Sequence, residues 1–248
     1  MPTGDVIDLV ELRQELIRPG GLWQKVDLVA ETGSTNADLA ARARQGEVPG
    51  TVLITDYQSA GRGRQGRTWT APPGSGIAMS ILVTPGAIDP NRWTWLSLLA
   101  GLAVSDGVRR TADLPAVLKW PNDVLVAERK VCGILSERVD TPQGPACVVG
   151  IGINVGLTDN ELPVPTATSL AIAARQFGIQ VPSSESELYV RHALLALNAI
   201  PSDRYSDDSA LGFIVSPYAH GAVCPRQGSF PNAGPVDHRH PRFPRGVL

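Results

Sequence analysis

The densest chemistry in the chain is the stretch Gly61-Arg62-Gly63-Arg64-Gln65-Gly66-Arg67. Glycines let a backbone come close to a ligand, and arginine forks match carboxylate and phosphate oxygens. An anion is the natural guest. Read alone, the same residues also make a solvated basic turn. The string fits the GxGxxG spacing of a dinucleotide site, but that site needs its third glycine to open a helix. Here Pro72 and Pro73 follow and stop one. Trp69 closes the segment, either as core or as a flat surface on which a ring such as adenine could stack.

Two further groups carry polar residues at strand ends. In Lys119-Trp120-Pro121-Asn122-Asp123, the proline imposes an extended or turn geometry. Asn122 and Asp123 are then expected to face outward, where they could hold a metal–phosphate unit or orient an amine. A plain strand-ending turn accounts for them equally. Lys130 opens a strand in which Gly133 is an oddity, and Gly150 and Gly152 repeat that oddity in the next. A lysine there is commonly a solvated edge charge. Glycine weakens a strand unless something must approach it closely. Flanked by Lys130 and Asn154, these glycines suggest a ligand lying across a sheet.

The elements that must position these groups follow from periodicity. Helical spacing is expected over 6–17, ended by Pro19-Gly20-Gly21, and again over 93–108, where the residues are apolar nearly all round. A third helix is expected to follow Ser34-Thr35-Asn36, with Thr35 and Asp38 as a capping box and Gly46 as its stop. A fourth opens with Ser184 and Glu187 and runs to about residue 199. Strands are expected over 26–29, 51–57, 76–83, 117–120, 131–139 and 147–155, with 58–75 as a loop. Clustered strands between helices, without regular alternation, predict an α+β domain: a mixed β-sheet flanked by helices.

Composition narrows the function classes. A net charge of −2 gives no global reason to expect nucleic acid or an anionic membrane. Cys132, Cys147 and Cys224 form no CxxC pair and cannot close a disulfide set, and the four histidines show no zinc-ligand spacing. The acidic, amphipathic start is unlike a signal peptide, and no apolar run is long enough to span a bilayer. A reducing, cytoplasmic setting is expected. From residue 216 the chain is dense in Pro, Gly, His and Arg without a structural period, so no packed core is expected there.

Taken together, five blocks resemble the biotin–protein ligase family, in its order and at its usual separations: Ser34-Thr35-Asn36, Gln58 to Trp69, Lys119 to Val124, Lys130 to Glu137 and Gly150 to Val155. The resemblance covers roughly residues 25–200. It implies a class II synthetase-like catalytic domain over 1–200 and biotin–[acetyl-CoA-carboxylase] ligase chemistry. Biotin and ATP, with Mg2+ accompanying the nucleotide, would form biotinoyl-5'-adenylate. A lysine of a biotin carboxyl carrier protein or carboxylase domain would then take the biotin. A lipoate ligase, which shares the fold, is not expected to carry the Gly-Arg-Gly-Arg loop.

By motif, Ser34, Thr35, Asn36 and Gln58 look like biotin contacts, and Gly61, Arg62, Gly63 and Arg64 like a loop closing over biotin and phosphate. Lys130 looks like the charge between the biotin carboxylate and the α-phosphate, with Gly133 and Gly150 as a floor under the biotin rings. Arg64, Arg67, Trp69, Asn122, Asp123, Lys130 and Asn154 look like the ATP side, with Mg2+ near Asn122 and Asp123. Lys130, Arg64 and Asp123 are the catalytic candidates, Asp123 also as the group that orients the incoming lysine.

The chain departs from the family in two places. Gln65 stands where many members have a second arginine. Residues 201–248 show no alternation of the kind expected for the family's small C-terminal β-barrel, so an atypical, disordered or frame-shifted tail is expected. The few residues before Val6 leave no room for an N-terminal DNA-binding domain, which predicts a ligase-only type. A homodimer joined at sheet edges occurs in the family. The other readings are a biotin-binding remnant that cannot complete transfer and a sister lipoate-type ligase.

Overall fold

Alternation along the strands decides which face of the sheet is dry. The computed structural model describes residues 7–85, 89–179 and 186–198. Within them seven strands form one sheet: β1 (Lys25–Leu28), β2 (Thr51–Thr55), β3 (Gly76–Val83), β4 (Val117–Lys119), β5 (Asp123–Val126), β6 (Arg129–Thr141) and β7 (Gly144–Asn154). Their spatial order is β1-β2-β3-β7-β6-β5-β4. Only β1 and β2 run parallel; the other neighbours are antiparallel, so the sheet is mixed. Five helices flank it: α1 (Leu9–Leu16), α2 (Thr35–Arg44), α3 (Leu96–Ala112), α4 (Leu170–Phe177) and α5 (Ser186–Asn198). The expected α+β class is what the structure shows.

One face carries large apolar side chains. Val52, Ile54, Ile77, Met79, Ile81, Ile134, Val149, Ile151 and Ile153 bury against Ala100, Val104 and Val108 of α3. Leu12 and Leu16 of α1 and Ala193 and Leu194 of α5 complete that core. Trp23, fully buried, ties the two ends together by donating from Nε1 to the Leu194 carbonyl.

The opposite face is covered only in part. Leu39, Ala40 and Ala43 of α2 pack on Leu53, Leu82, Val139 and Val148. Beyond α2 the outward positions are small. Cross-strand register lines up Lys119, Asp123, Gly133, Gly152 and Ala78 in one row, and Leu135, Gly150 and Ser80 in the next. A sheet face built from glycine, alanine and serine is a trench, and the polar motifs lie along it.

Several local expectations need adjustment. Ser34, not Thr35, is the N-cap of α2 and accepts from the Ala37 amide at 3.5 Å. The Asp38 carboxylate instead accepts from the Thr32 hydroxyl. The expected start at Trp93 is a 3-10 lead-in over Pro90–Trp95, with α3 proper following. Two elements were not anticipated. β5 is four residues long and was read as part of a turn. α4 is capped by the Ser169 side chain, which accepts from the Ile172 amide, and ends at Gly178 in the left-handed region. The expected start at Val6, the Ser184 cap and segment 201–248 lie outside the described residues.

Cys132 and Cys147 are free thiols facing the core, and burial pushes both above the ordinary range. For Cys132 desolvation outweighs the opposing charge of Lys130, and Cys147 is pushed up to about 12. A folded pKa above the unfolded value of about 8.5 stabilises the native state below that pH. This contribution is lost as pH rises through the folded value. Native protein at pH 8 should therefore leave both thiols unalkylated, while denatured protein labels fully, as peptide mapping after iodoacetamide would show.

Candidate active site

The arginine stretch folds back on itself rather than hanging as a loop. The Gly63 amide donates to the Arg67 carbonyl at 2.7 Å and the Trp69 amide to the Gly61 carbonyl at 2.9 Å, while Arg62 pairs antiparallel with Thr68. Gln65 and Gly66, both at positive φ, make the reversal. The result is a small hairpin with three exposed guanidinium groups, held over the trench. Arg64 Nη1 donates to Asn122 Oδ1 at 3.1 Å, and Arg62 Nη2 pairs with Glu137 Oε2 at 3.0 Å.

Hairpin and trench enclose a cavity of about 500 Å³, a size suited to a small-molecule substrate. Its wall carries Arg62, Arg64, Arg67, Lys119 and Lys130 against one carboxylate, Asp123. Five cations facing one acid make a strongly positive interior that favours polyanions. Lys130 is fixed at its backbone, whose amide donates to the Thr166 carbonyl and whose carbonyl accepts from the Thr168 amide. Its ammonium lies 2.6 Å from Asp123 Oδ1 and 5.7 Å from the centre of the Trp69 ring. Asp123 Oδ1 is buried, and this ion pair is its one compensating contact among the described residues.

The floor explains the strand glycines. A β-carbon on Gly152 would lie 2.6 Å from the Trp69 indole, and one on Gly133 would lie 3.0 Å from it. These two glycines are register partners, so the indole rests on bare backbone. On Gly150 a β-carbon would overlap Asn36 Oδ1. The close approach at Gly150 is thus made by a protein side chain, at the position where a biotin ring was expected.

The other end of the cavity is polar but uncharged. Gln58 Oε1 accepts from the Thr35 amide at 2.8 Å and lies 3.1 Å from its hydroxyl. Ser80 Oγ lies 2.8 Å from Thr35 Oγ1 and 2.6 Å from Asn36 Oδ1. Asn36 Nδ2 donates to the Leu135 carbonyl and to Glu137 Oε2. Both amide donors of Asn36 are therefore engaged within the protein, although the residue lines the cavity. Ser34 and Gln58 retain donors that a neutral ligand group could use.

Of the expected site residues, the structure brings Ser34, Thr35, Asn36, Gln58, Arg62, Gly63, Arg64, Arg67, Trp69, Asn122, Asp123, Lys130, Gly133 and Gly150 onto one wall. Two lie elsewhere. Gly61 lines a hollow against the hairpin, where a β-carbon would collide with the Trp69 carbonyl. Asn154 is buried at the end of β7 and donates to the Thr168 carbonyl, supporting the segment that grips Lys130. Sequence reasoning gave no role to Ser80, Lys119, Leu135 or Glu137. Period-two alternation carried the signal for three of them, since Leu135 and Glu137 share a face with Gly133, and Ser80 interrupts an apolar strand.

A family model described as the biotin/lipoate A/B protein ligase family matches residues 30–154. The chain belongs to that family. Among curated family members, the Biotin--[acetyl-CoA-carboxylase] ligase of Mycobacterium tuberculosis is 46% identical over 168 residues, covering 66% of this chain and 61% of that protein. The chain thus spans about three-fifths of that relative's length. Among solved structures, the biotin protein ligase of Aquifex aeolicus in complex with biotin and ATP is 30% identical, with a TM-score of 0.58 over 77% of this chain and 75% of that one. The biotin protein ligase of Leishmania major in complex with biotin gives a TM-score of 0.64 over 86% of both chains at 23% identity, a likeness of fold.

The packing of Asn36 on Gly150 makes a direct prediction for this family fold. Gly150→Ala should force the amide away from Ser80 and Glu137 and lower stability by about 1–3 kcal/mol, the cost of overpacking a filled site. Urea denaturation would read this as a lower midpoint at unchanged slope.

Proposed function

We propose that this protein activates biotin with ATP and transfers it to a lysine of a carrier protein. The observation that carries this reading is one cavity with a neutral hydrogen-bonding end and a cationic end. Ser34, Thr35 and Gln58 at the first suit a ring urea, which both donates and accepts. Arg62, Arg64, Arg67 and Lys130 at the second suit a carboxylate beside a triphosphate. Biotin and ATP are also the ligands of the Aquifex aeolicus relative.

The residues then divide the work. In the first step a biotin carboxylate oxygen attacks the α-phosphorus, the bond to the β-phosphate oxygen breaks, and pyrophosphate leaves with its electron pair. Two anions must meet, so cations placed where charge gathers lower the barrier. Lys130, fixed at its backbone, is proposed to sit between the carboxylate and the α-phosphate, with the hairpin arginines on the phosphates. Trp69 offers its face to the adenine side. In the second step the neutral lysine amine attacks the acyl carbon, the bond from that carbon to the phosphate oxygen breaks, AMP leaves with the electron pair, and the nitrogen gives up its extra proton to water. Asp123, whose carboxylate lines the cavity and pairs with Lys130, is proposed to orient the incoming lysine as Lys130 turns to the phosphate.

Magnesium would travel on the triphosphate and neutralise part of its charge. Among the described residues no group of three or more His, Cys, Asp or Glu side chains could cage an ion. Asn122 and Asp123, adjacent on the wall, carry oxygens that fit a hard cation held mainly by phosphates. The carrier would be a biotin carboxyl carrier protein or carboxylase domain, and the reaction belongs in the cytoplasm, where ATP and carboxylases meet. No helix among the described residues is long and apolar enough to cross a membrane.

Incubating the protein with ATP, magnesium, biotin and a biotin carrier domain should add one biotinoyl group to one carrier lysine, seen by intact mass. No addition, where a known ligase succeeds, overturns the reading. Lys130→Ala should lower biotin-dependent ATP–pyrophosphate exchange by about 10²–10³-fold, the scale of losing one transition-state charge contact. Lys130→Ala also leaves the buried Asp123 Oδ1 without its cation and should cost about 1–3 kcal/mol of stability. Lys130→Arg keeps that charge, so it should barely move the melting temperature while still lowering exchange.

A further inference from the structure

One carboxylate oxygen serves both ends of the cavity. Glu137 Oε2 accepts from Asn36 Nδ2 at 2.7 Å and pairs with Arg62 Nη2 at 3.0 Å. Glu137 stands on β6, four residues past Gly133 on the trench face. It does not line the main cavity. It lines a second hollow against the hairpin, which shares Arg62 and Leu135 with the main cavity. Asn36, held by Ser80 on its other side, lines the neutral end; Arg62 belongs to the cationic hairpin. A continuous chain of hydrogen bonds therefore runs from Ser80 through Asn36 and Glu137 to Arg62.

Resting on the ligase reading, we infer that Glu137 is a positioning residue that couples ligand at the neutral end to closure of the arginine hairpin. A ligand packed against Asn36 fixes its amide, the amide fixes the carboxylate, and the carboxylate holds Arg62 over the trench. Coupling of this kind acts on the fraction of molecules with the hairpin in place, so it changes apparent affinity rather than the chemical step. The Arg62 side chain is 47% exposed and that of Glu137 32%. A pair so exposed is weak, and its loss shifts the population several-fold rather than a thousandfold.

Two measurements on Glu137→Gln, Arg62→Gln and the double variant test this. Glu137→Gln keeps an acceptor for Asn36 and removes the charge that holds Arg62. The first is limited trypsin cleavage after Arg64 and Arg67 in ligand-free protein. Each single variant should be cut about threefold to fivefold faster than wild type, and the double variant no faster than Arg62→Gln. Equal rates in wild type and Glu137→Gln, or additive effects in the double variant, overturn the coupling. The second is biotin-dependent ATP–pyrophosphate exchange. Glu137→Gln should raise the KM for biotin about fivefold with kcat within about twofold of wild type. A fall in kcat at unchanged KM would overturn a positioning role. Wild-type protein without exchange activity would remove the ligase reading, while the trypsin rates would still decide the tether.

Discussion

Cations crowded around one cavity repel one another, and much of the local structure answers that repulsion. Arg62, Arg64, Arg67, Lys119 and Lys130 share a wall with one carboxylate. Arg62 leans on Glu137, Arg64 on the Asn122 side-chain Oδ1, and Lys130 on Asp123 and the face of Trp69. The arginine partners are partly exposed, so those contacts are weak and exchangeable; Asp123 Oδ1, beneath Lys130, is the buried one. A polyanion entering the cavity offers more negative charge than the tethers do. The resting contacts hold the cations in place without competing strongly for them.

Such an arrangement needs a surface on which bulky groups can lie close to the backbone. The rows through Gly133–Gly152 and Gly150–Ser80 supply it. Trp69 lies on the first pair and Asn36 over the second. On the same face α2 covers Leu53, Leu82 and Val148, where side chains are large. One strand thus changes from core to site within a few residues, as β7 does between Val148 and Gly152. The reverse face, uniformly large and apolar, is what lets the sheet tolerate glycines that would otherwise weaken it.

How much of this could be read from the sequence follows the length of each signal. β3, eight residues of apolar and small side chains, and the apolar run of α3 were legible because their patterns persist. β5 was not, because four residues after a proline turn hold too few periods to separate strand from turn. α4 was legible in principle from Ser169 and Gly178 at its ends, but its eight residues are too short a run for the period to stand out. For the site, the cationic hairpin, Lys130 and the glycine strands were visible as residue types at unusual places. Glu137 and Ser80 were invisible in role, because each acts across strands on residues about 101 and 44 positions away. Asn36 was visible as a residue type, but its bonds to Leu135 and Glu137 were not, because they cross from a helix to a strand far along the chain.

The division between rigid and adjustable parts then orders the chemistry. Asp123, Gly133, Gly152 and Ala78 occupy one cross-strand row, with neighbours set about 4.8 Å apart by backbone hydrogen bonding. Lys130 is gripped at both its amide and its carbonyl by the 166–168 segment, which Asn154 holds from below. Floor, acid and lysine therefore keep fixed separations whatever occupies the cavity. The hairpin over 61–69 hangs on its own turn hydrogen bonds and a few exposed side-chain contacts, so it is the part that can yield. Distances between groups along the floor are set by the sheet, and cover over the cavity is left to the arginines above it. A stiffer hairpin would shut substrates out, and a looser sheet would misplace the lysine.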